Sequence, residues 1–223
     1  MNGILIPLII MAVIGLGIYA WYSDKKRREL LASWSFAKGW RMRPGKIKGL
    51  HADYPMLKFF NKGHSRRAKY VISGEYEARP VRLMDYTYVT GSGKNRTTHN
   101  VGVVVMETAF MVIPLTIRRE NPLDKLGEFF GADDIDFESA EFSRKFYVKS
   151  NDRKWAYDVI HQRTMDFLLK SPSYNISFGF QEIAITKKGH FSPAEYEDAL
   201  AMVWGLYKLI PDYVIEQMKD EGR

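Results

Sequence analysis

The chain divides by the periodicity of its apolar residues. From Ile4 to Tyr22 the sequence ILIPLIIMAVIGLGIYAWY carries no charged side chain, and no polar stripe runs along it. About 19 residues at ~1.5 Å each reach ~28 Å, close to the hydrocarbon thickness of a bilayer. Pro7 falls in the first turn, where its missing N–H is tolerated. Tyr19, Trp21 and Tyr22 gather at the far end, as an interfacial aromatic belt does. The pattern predicts a transmembrane helix. A cleaved signal peptide would place its basic residues first, whereas Lys25, Lys26, Arg27 and Arg28 follow the apolar run. A buried core helix is the other alternative, and such helices are seldom apolar on every face.

After Ser23 the period becomes helical, with Leu30, Leu31, Trp34 and Ala37 as a stripe and Gly39 as a stop. The anchor helix is free to continue into it. Residues 40–43 read as a short strand, and 44–62 as irregular chain broken by Gly45, Gly49 and Pro55. The alternation then turns to that of strands. Residues 69–76, 80–89, 98–107 and 113–118 are rich in Val, Ile, Tyr and Thr, separated by short turns, and predict an antiparallel meander. A short helix is expected over 122–130, a strand over 146–149, and one helix over 152–170 that Pro172 closes. A hairpin follows over 176–187. Ser192-Pro193-Ala194-Glu195 is a capping box with Pro in the first helical position, and Pro211 should kink or end that last helix. The fold class is therefore α+β: an N-terminal transmembrane helix, then a mostly antiparallel β-meander packed with two or three helices. The expected divisions are an anchor over 1–23, a basic juxtamembrane helix and irregular segment over 24–68, and a soluble domain over 69–217, β-rich over 69–131 and helix-rich over 145–217.

Charge sharpens this layout. The net charge of +7 is not spread evenly. Residues 24–70 hold fourteen Lys or Arg against Asp24, Glu29 and Asp53, a net of +11, and the rest of the chain is mildly acidic. Basic residues stay on the cytoplasmic side, so the N-terminus should lie outside and the domain inside the cell membrane. In that orientation the sequons at Asn95 and Asn175 go unglycosylated. Lys25, Lys26, Arg27, Arg28, Arg41, Arg43, Lys46 and Lys48 are the expected contacts for anionic lipid headgroups. Trp34, Phe36, Trp40, Phe59 and Phe60 interleave with these charges, a pattern that also suits single-stranded nucleic acid, but lipid is the nearer partner and is favoured. Cysteine is absent, which removes disulfides, thiolate catalysis and Fe–S clusters.

Little else points to chemistry. Gly91-Ser92-Gly93-Lys94 invites a phosphate-loop reading, yet the pattern needs Gly where Tyr88 stands and Ser or Thr where Asn95 stands. The tip carrying Gly91, Gly93, Lys94, Asn95 and Arg96 reads instead as an exposed loop, longer than a hairpin needs, that suits a protein partner not yet identified. Asp133, Asp134, Asp136 and Glu138 form an acidic run, without the glycine an EF-hand requires. The five histidines show no metal-ligand spacing, and neither a metal nor a cofactor is expected.

The runs GEYEARPVRLMDYTYVTGSGKNRTTH, FESAEFSRKFYVKSNDRKWAYDVIHQRTMDFLL and SPAEYEDALAMVWGLYKLIPDYV resemble an uncharacterised bacterial family of single-pass membrane proteins with one soluble α+β domain of unknown function. The resemblance implies the same layout of anchor, basic segment and domain, and brings no catalytic residues. The expected function is a membrane-anchored, cytoplasm-facing, non-enzymatic binding or scaffolding module. The alternative is an enzyme whose site assembles from dispersed residues such as Asp85, His99 and His161.

Overall fold

The computed structural model describes residues 2–119, 135 and 137–221, with the side chains of 2–6 and 9 left out. The helix expected over 122–130, and Asp133, Asp134 and Asp136 of the acidic run, lie outside the described residues.

The first element is one unbroken helix, α1 (Asn2–Ala37). Its two halves have opposite surroundings. From Leu8 to Tyr22 the described large apolar side chains are between 52% and 72% exposed, because no described residue of the domain covers them. From Asp24 onward the helix joins the domain, and Leu31 is fully buried. Among the described residues no helix is long and apolar enough to cross a membrane. Described side chains run unbroken only from Ile10, and the apolar stretch from there to Tyr22 falls short of the roughly 20 residues a crossing takes. The span read from the sequence begins at Ile4.

The described strands form one eight-stranded antiparallel sheet, which makes the fold α+β as expected. They are β1 (Arg41–Arg43), β2 (His64–Tyr76), β3 (Arg79–Thr90), β4 (Thr97–Glu107), β5 (Leu115–Arg119), β6 (Phe146–Ser150), β7 (Asn175–Phe178) and β8 (Glu182–Lys188), in the order β1-β2-β3-β4-β8-β7-β5-β6. The first four make the meander. The late hairpin β7–β8 then inserts between β4 and β5, so the sheet crosses the expected division between a β-rich and a helix-rich part. The expected domain start at residue 69 also falls inside β2.

Alternation decides which face each side chain takes. Leu83, Val104, Ile117, Val148, Ile176 and Ile185 meet the helices in the main core. Met84, Tyr86, Val103 and Val105 point the other way and are covered by Tyr54, Leu57 and Phe60 of the 50–61 segment. A register shift between Lys69 and Ile72 breaks this alternation in β2. Tyr70 there has φ +52, and the extra residue puts Ala68 and Val71 on one face but Tyr70 and Ile72 on the other. Re-aiming a side chain is what a β-bulge does, and here it turns Tyr70 toward α1.

The helices that follow are α2 (Ala140–Lys145), α3 (Arg153–Val159), α4 (Gln162–Lys170), α5 (Pro193–Leu209) and α6 (Asp212–Glu221). The single helix expected over 152–170 is two. Ile160 leaves helical geometry at ψ 59, and His161 Nε2 hydrogen-bonds the carbonyl of Leu209 2.9 Å away, so the turn lets both halves bury their stripes. The capping box at Ser192 and Glu195 is formed.

Candidate functional site

The most developed polar constellation is where the second half of α1 enters the domain. Arg27 lies on the face of α1 that carries Leu31 and Trp34, one turn before the buried leucine. Its Nε and Nη2 donate to the two oxygens of Asp85, both at 2.7 Å, and Nη2 also donates to the carbonyl of Phe191 at 3.1 Å. His190 Nδ1 approaches the same carboxylate at 3.1 Å. The Asp85 side chain is 5% exposed and that of Arg27 20%. Burial opposes ionisation of Asp85, but the hydrogen bonds from His190 and Arg27 outweigh it and hold its pKa below the ordinary carboxylate value. Tyr196, wholly buried beside the pair, is held protonated well above its usual range by burial and by the Asp85 charge.

Neighbouring contacts extend this clamp along the helix. Lys69 and the Tyr70 hydroxyl both donate to Asp24, and these contacts lower the pKa of Asp24. Further on, Trp34 stacks on Tyr196 at 5.6 Å and donates from its indole nitrogen to Glu197 at 2.9 Å. Trp34 also meets Trp40 edge-on, and Trp40 lies against Gly74, where any Cβ would collide with it. Ten residues of α1, ~15 Å, thus run along the strand from Tyr70 to Gly74, ~13 Å. The helix and β2 therefore run side by side in the same sense. The start of β2, the end of β3 and the 91–96 tip lie toward the end from which the apolar half of α1 departs.

The sign of the Asp85 shift predicts how acid acts on the clamp. A carboxylate with a lowered folded pKa contributes stability above its unfolded value and loses it as pH falls through the folded one. Hydrogen exchange over residues 24–38 should therefore stay slow down to about pH 4 and rise only below it. Release of the segment near pH 6 would contradict this.

The expected lipid-contact residues are not equivalent. Arg27 is committed to Asp85. Lys25 is 3.9 Å from Glu29 on the helix surface, while Lys26 and Arg28 are exposed. Arg41 and Arg43 are exposed on the edge strand β1, and Lys46 and Lys48 flank Ile47, which bridges to Ala68. The 91–96 tip is exposed and turns through Gly91 at φ +71, where a Cβ would strike the Asn95 carbonyl. His64 ties its base by a 3.0 Å contact to the Gly91 carbonyl.

Asp85, His99 and His161 do not come together. Asp85 faces the helices, whereas His99 is on the opposite sheet face, stacked on Tyr88 at 4.7 Å and bonded to Thr90 at 2.7 Å. His161 is at the α3–α4 turn. Among the described residues no group of three His, Asp or Glu is placed to hold a metal ion.

What sequence reasoning did not find is the half of the sheet that no described segment covers. The 50–61 segment covers only the face of β2, β3 and β4, with Ala184 of β8. Beyond it two clefts of about 540 and 230 Å³ lie on the same face and meet at Lys62. The first is floored by Val101, Asn175 and Thr186, and the second by Thr116, Tyr147 and Ser177. The signal was present as polar residues alternating with the core residues of β5 to β8, but nothing in the sequence showed that those strands adjoin.

No protein-family model matches the chain, and no curated protein matches it. A similar solved structure is the crystal structure of the mycobacterial trehalose monomycolate transport factor A, TtfA, at 14% identity and a TM-score of 0.59, covering 84% of this chain and 96% of that one. At that identity the likeness is one of fold.

Proposed function

We propose that the chain is a membrane-anchored, cytoplasm-facing, non-enzymatic binding or scaffolding module. The observation that carries this reading is the division of α1. Its first half exposes large apolar side chains all round, a surface that water does not favour and acyl chains do. Its second half is clamped by Arg27, Leu31 and Trp34, so no flexible linker separates anchor from domain and the domain is held at a set orientation to the bilayer. The basic residues Lys25, Lys26 and Arg28 beyond the apolar run favour a cytoplasmic domain and anionic lipid as partner. The enzyme alternative lacks support in the geometry, because Asp85, His99 and His161 occupy three separate surroundings. The polar 91–96 tip remains the proposed site for a protein partner. The similar structure brings no substrate and no partner to this chain.

The test is topological. The full chain should stay with membranes through an alkaline carbonate wash. A reporter fused after Arg223 should be active only as a cytoplasmic reporter. Digestion of the domain by protease added outside intact cells would overturn the orientation, and loss of the chain from the washed membranes would overturn the anchor.

A further inference from the structure

The open half of the sheet is charged in one sense. Its two clefts are lined by Lys58, Lys62, Arg118, Lys149, Lys187 and Lys188, and by no Asp or Glu among the described residues. Lys187 reaches Glu195, and Arg118 lies 4.0 Å over the Tyr147 ring. Lys58, Lys62, Lys149 and Lys188 pair with no carboxylate among the described residues. Some cations elsewhere in the domain are paired, as at Arg27–Asp85, Arg82–Asp53 and Lys145–Glu141, but none of those lines the clefts. These four lysines, gathered with no described counter-charge, repel one another, and an anion seated among them removes that repulsion.

We infer that this face is a binding groove for the headgroup of an anionic glycerophospholipid. Three observations favour that occupant. The groove is extended, crossing β4, β8, β7, β5 and β6, or ~19 Å at about 4.8 Å per strand. Its surface mixes apolar side chains, Met56, Phe59 and Val101, with hydroxyls of Thr97, Thr116 and Ser177, which suits a phosphate flanked by glycerol and the start of an acyl chain. Its Tyr88–His99 end lies toward the end of the sheet from which the apolar half of α1 departs. Single-stranded nucleic acid needs open aromatic faces to stack its bases. Here Tyr88 is already stacked on His99, and Tyr147 is covered by Arg118. The inference rests on the membrane reading for the source of the lipid, not for the charge of the groove.

The experiment uses the full chain in a neutral detergent, with dioctanoyl phosphatidylglycerol added and bound lipid counted by native mass spectrometry. Lys62→Gln alone should weaken binding roughly fivefold, and Lys62→Gln with Lys149→Gln and Lys188→Gln about a hundredfold. A control removing three positive charges elsewhere, Arg163→Gln with Lys170→Gln and Lys219→Gln, should bind like the parent. All three groups are surface changes, and an unchanged melting temperature certifies the fold. Equal binding by the groove triple and the control would overturn the inference. So would equal affinity for dioctanoyl phosphatidylcholine, equal affinity for glycerol 3-phosphate, which would make the site one for free phosphate, or tighter binding of oligouridylate, which would make it one for nucleic acid. If the chain proves not to be held in membranes yet binds the lipid through these lysines, the groove stands and the anchor fails. If it is membrane-held but binds no lipid here, the reverse holds.

Discussion

Asp85→Asn is expected to destabilise the domain by about 3 kcal/mol and to release residues 24–38 from it. The substitution leaves Arg27 with the Phe191 carbonyl and one neutral amide oxygen as acceptors, and with no counter-charge. Removing one partner of a buried ion pair typically costs ~3–5 kcal/mol, because the remaining charge is stranded. Arg27 keeps a 20% exposed side chain, so the low end applies. At this chain length ~3 kcal/mol corresponds to a melting temperature lower by roughly 6–12 °C. Replacing both residues with apolar ones, Arg27→Met with Asp85→Leu, should restore most of the loss, since no charge is then left unpaired. Denaturant unfolding followed by the fluorescence of Trp34 and Trp40 measures all three variants. If Asp85→Asn unfolds at the parent's midpoint, the pair is a surface ornament and α1 is held by Leu31 and Trp34 alone.

On the proposed anchoring, Ile10→Arg with Ile14→Arg is expected to take the chain out of the membrane while leaving its domain intact. An arginine near the centre of a spanning helix costs ~2.5–3.5 kcal/mol, so two cost about 6 kcal/mol and reverse an insertion of ordinary strength. Both isoleucines are more than half exposed, at 53% and 56%, on the half of α1 that precedes the clamp at Asp24 and Arg27. The melting temperature of the domain should therefore match the parent's, which separates lost anchoring from lost folding. The measurement is the share of chain retained after carbonate washing. A double variant that still resists the wash would mean that the apolar half of α1 is not what holds the chain.

Much of the secondary structure was legible because local chemistry decides it. Ser192, Pro193 and Glu195 satisfy the first N–H groups of α5 among themselves, so its start needs no distant contact. The Val- and Tyr-rich runs became β2, β3 and β4 because they are consecutive, β2 and β3 through the two-residue turn at Glu77-Ala78 and β3 and β4 through the longer 91–96 tip. The helix over 152–170 was misread as continuous because its break depends on the Leu209 carbonyl, 48 residues further along. The lysines of the open groove were visible one by one. They come from three separate stretches, and only the pairing of β8 with β7, of β7 with β5 and of β5 with β6 brings Lys188 and Lys149 to one face.

The sequence by itself determined the uncharged apolar run, the basic cluster after it, the strand alternation and the helix caps. Each depends on residues within one or two turns or one hairpin of each other. Only the tertiary structure decided that Arg27 of the basic cluster is a clamp rather than a lipid contact. Its partner Asp85 is 58 residues away, on a strand that the Tyr70 bulge and the α5 packing bring beneath the helix. Tertiary structure also decided that the last hairpin enters the middle of the sheet. Long-range pairing depends on which apolar faces can be buried together, and that is a property of the whole chain at once, which no local pattern carries.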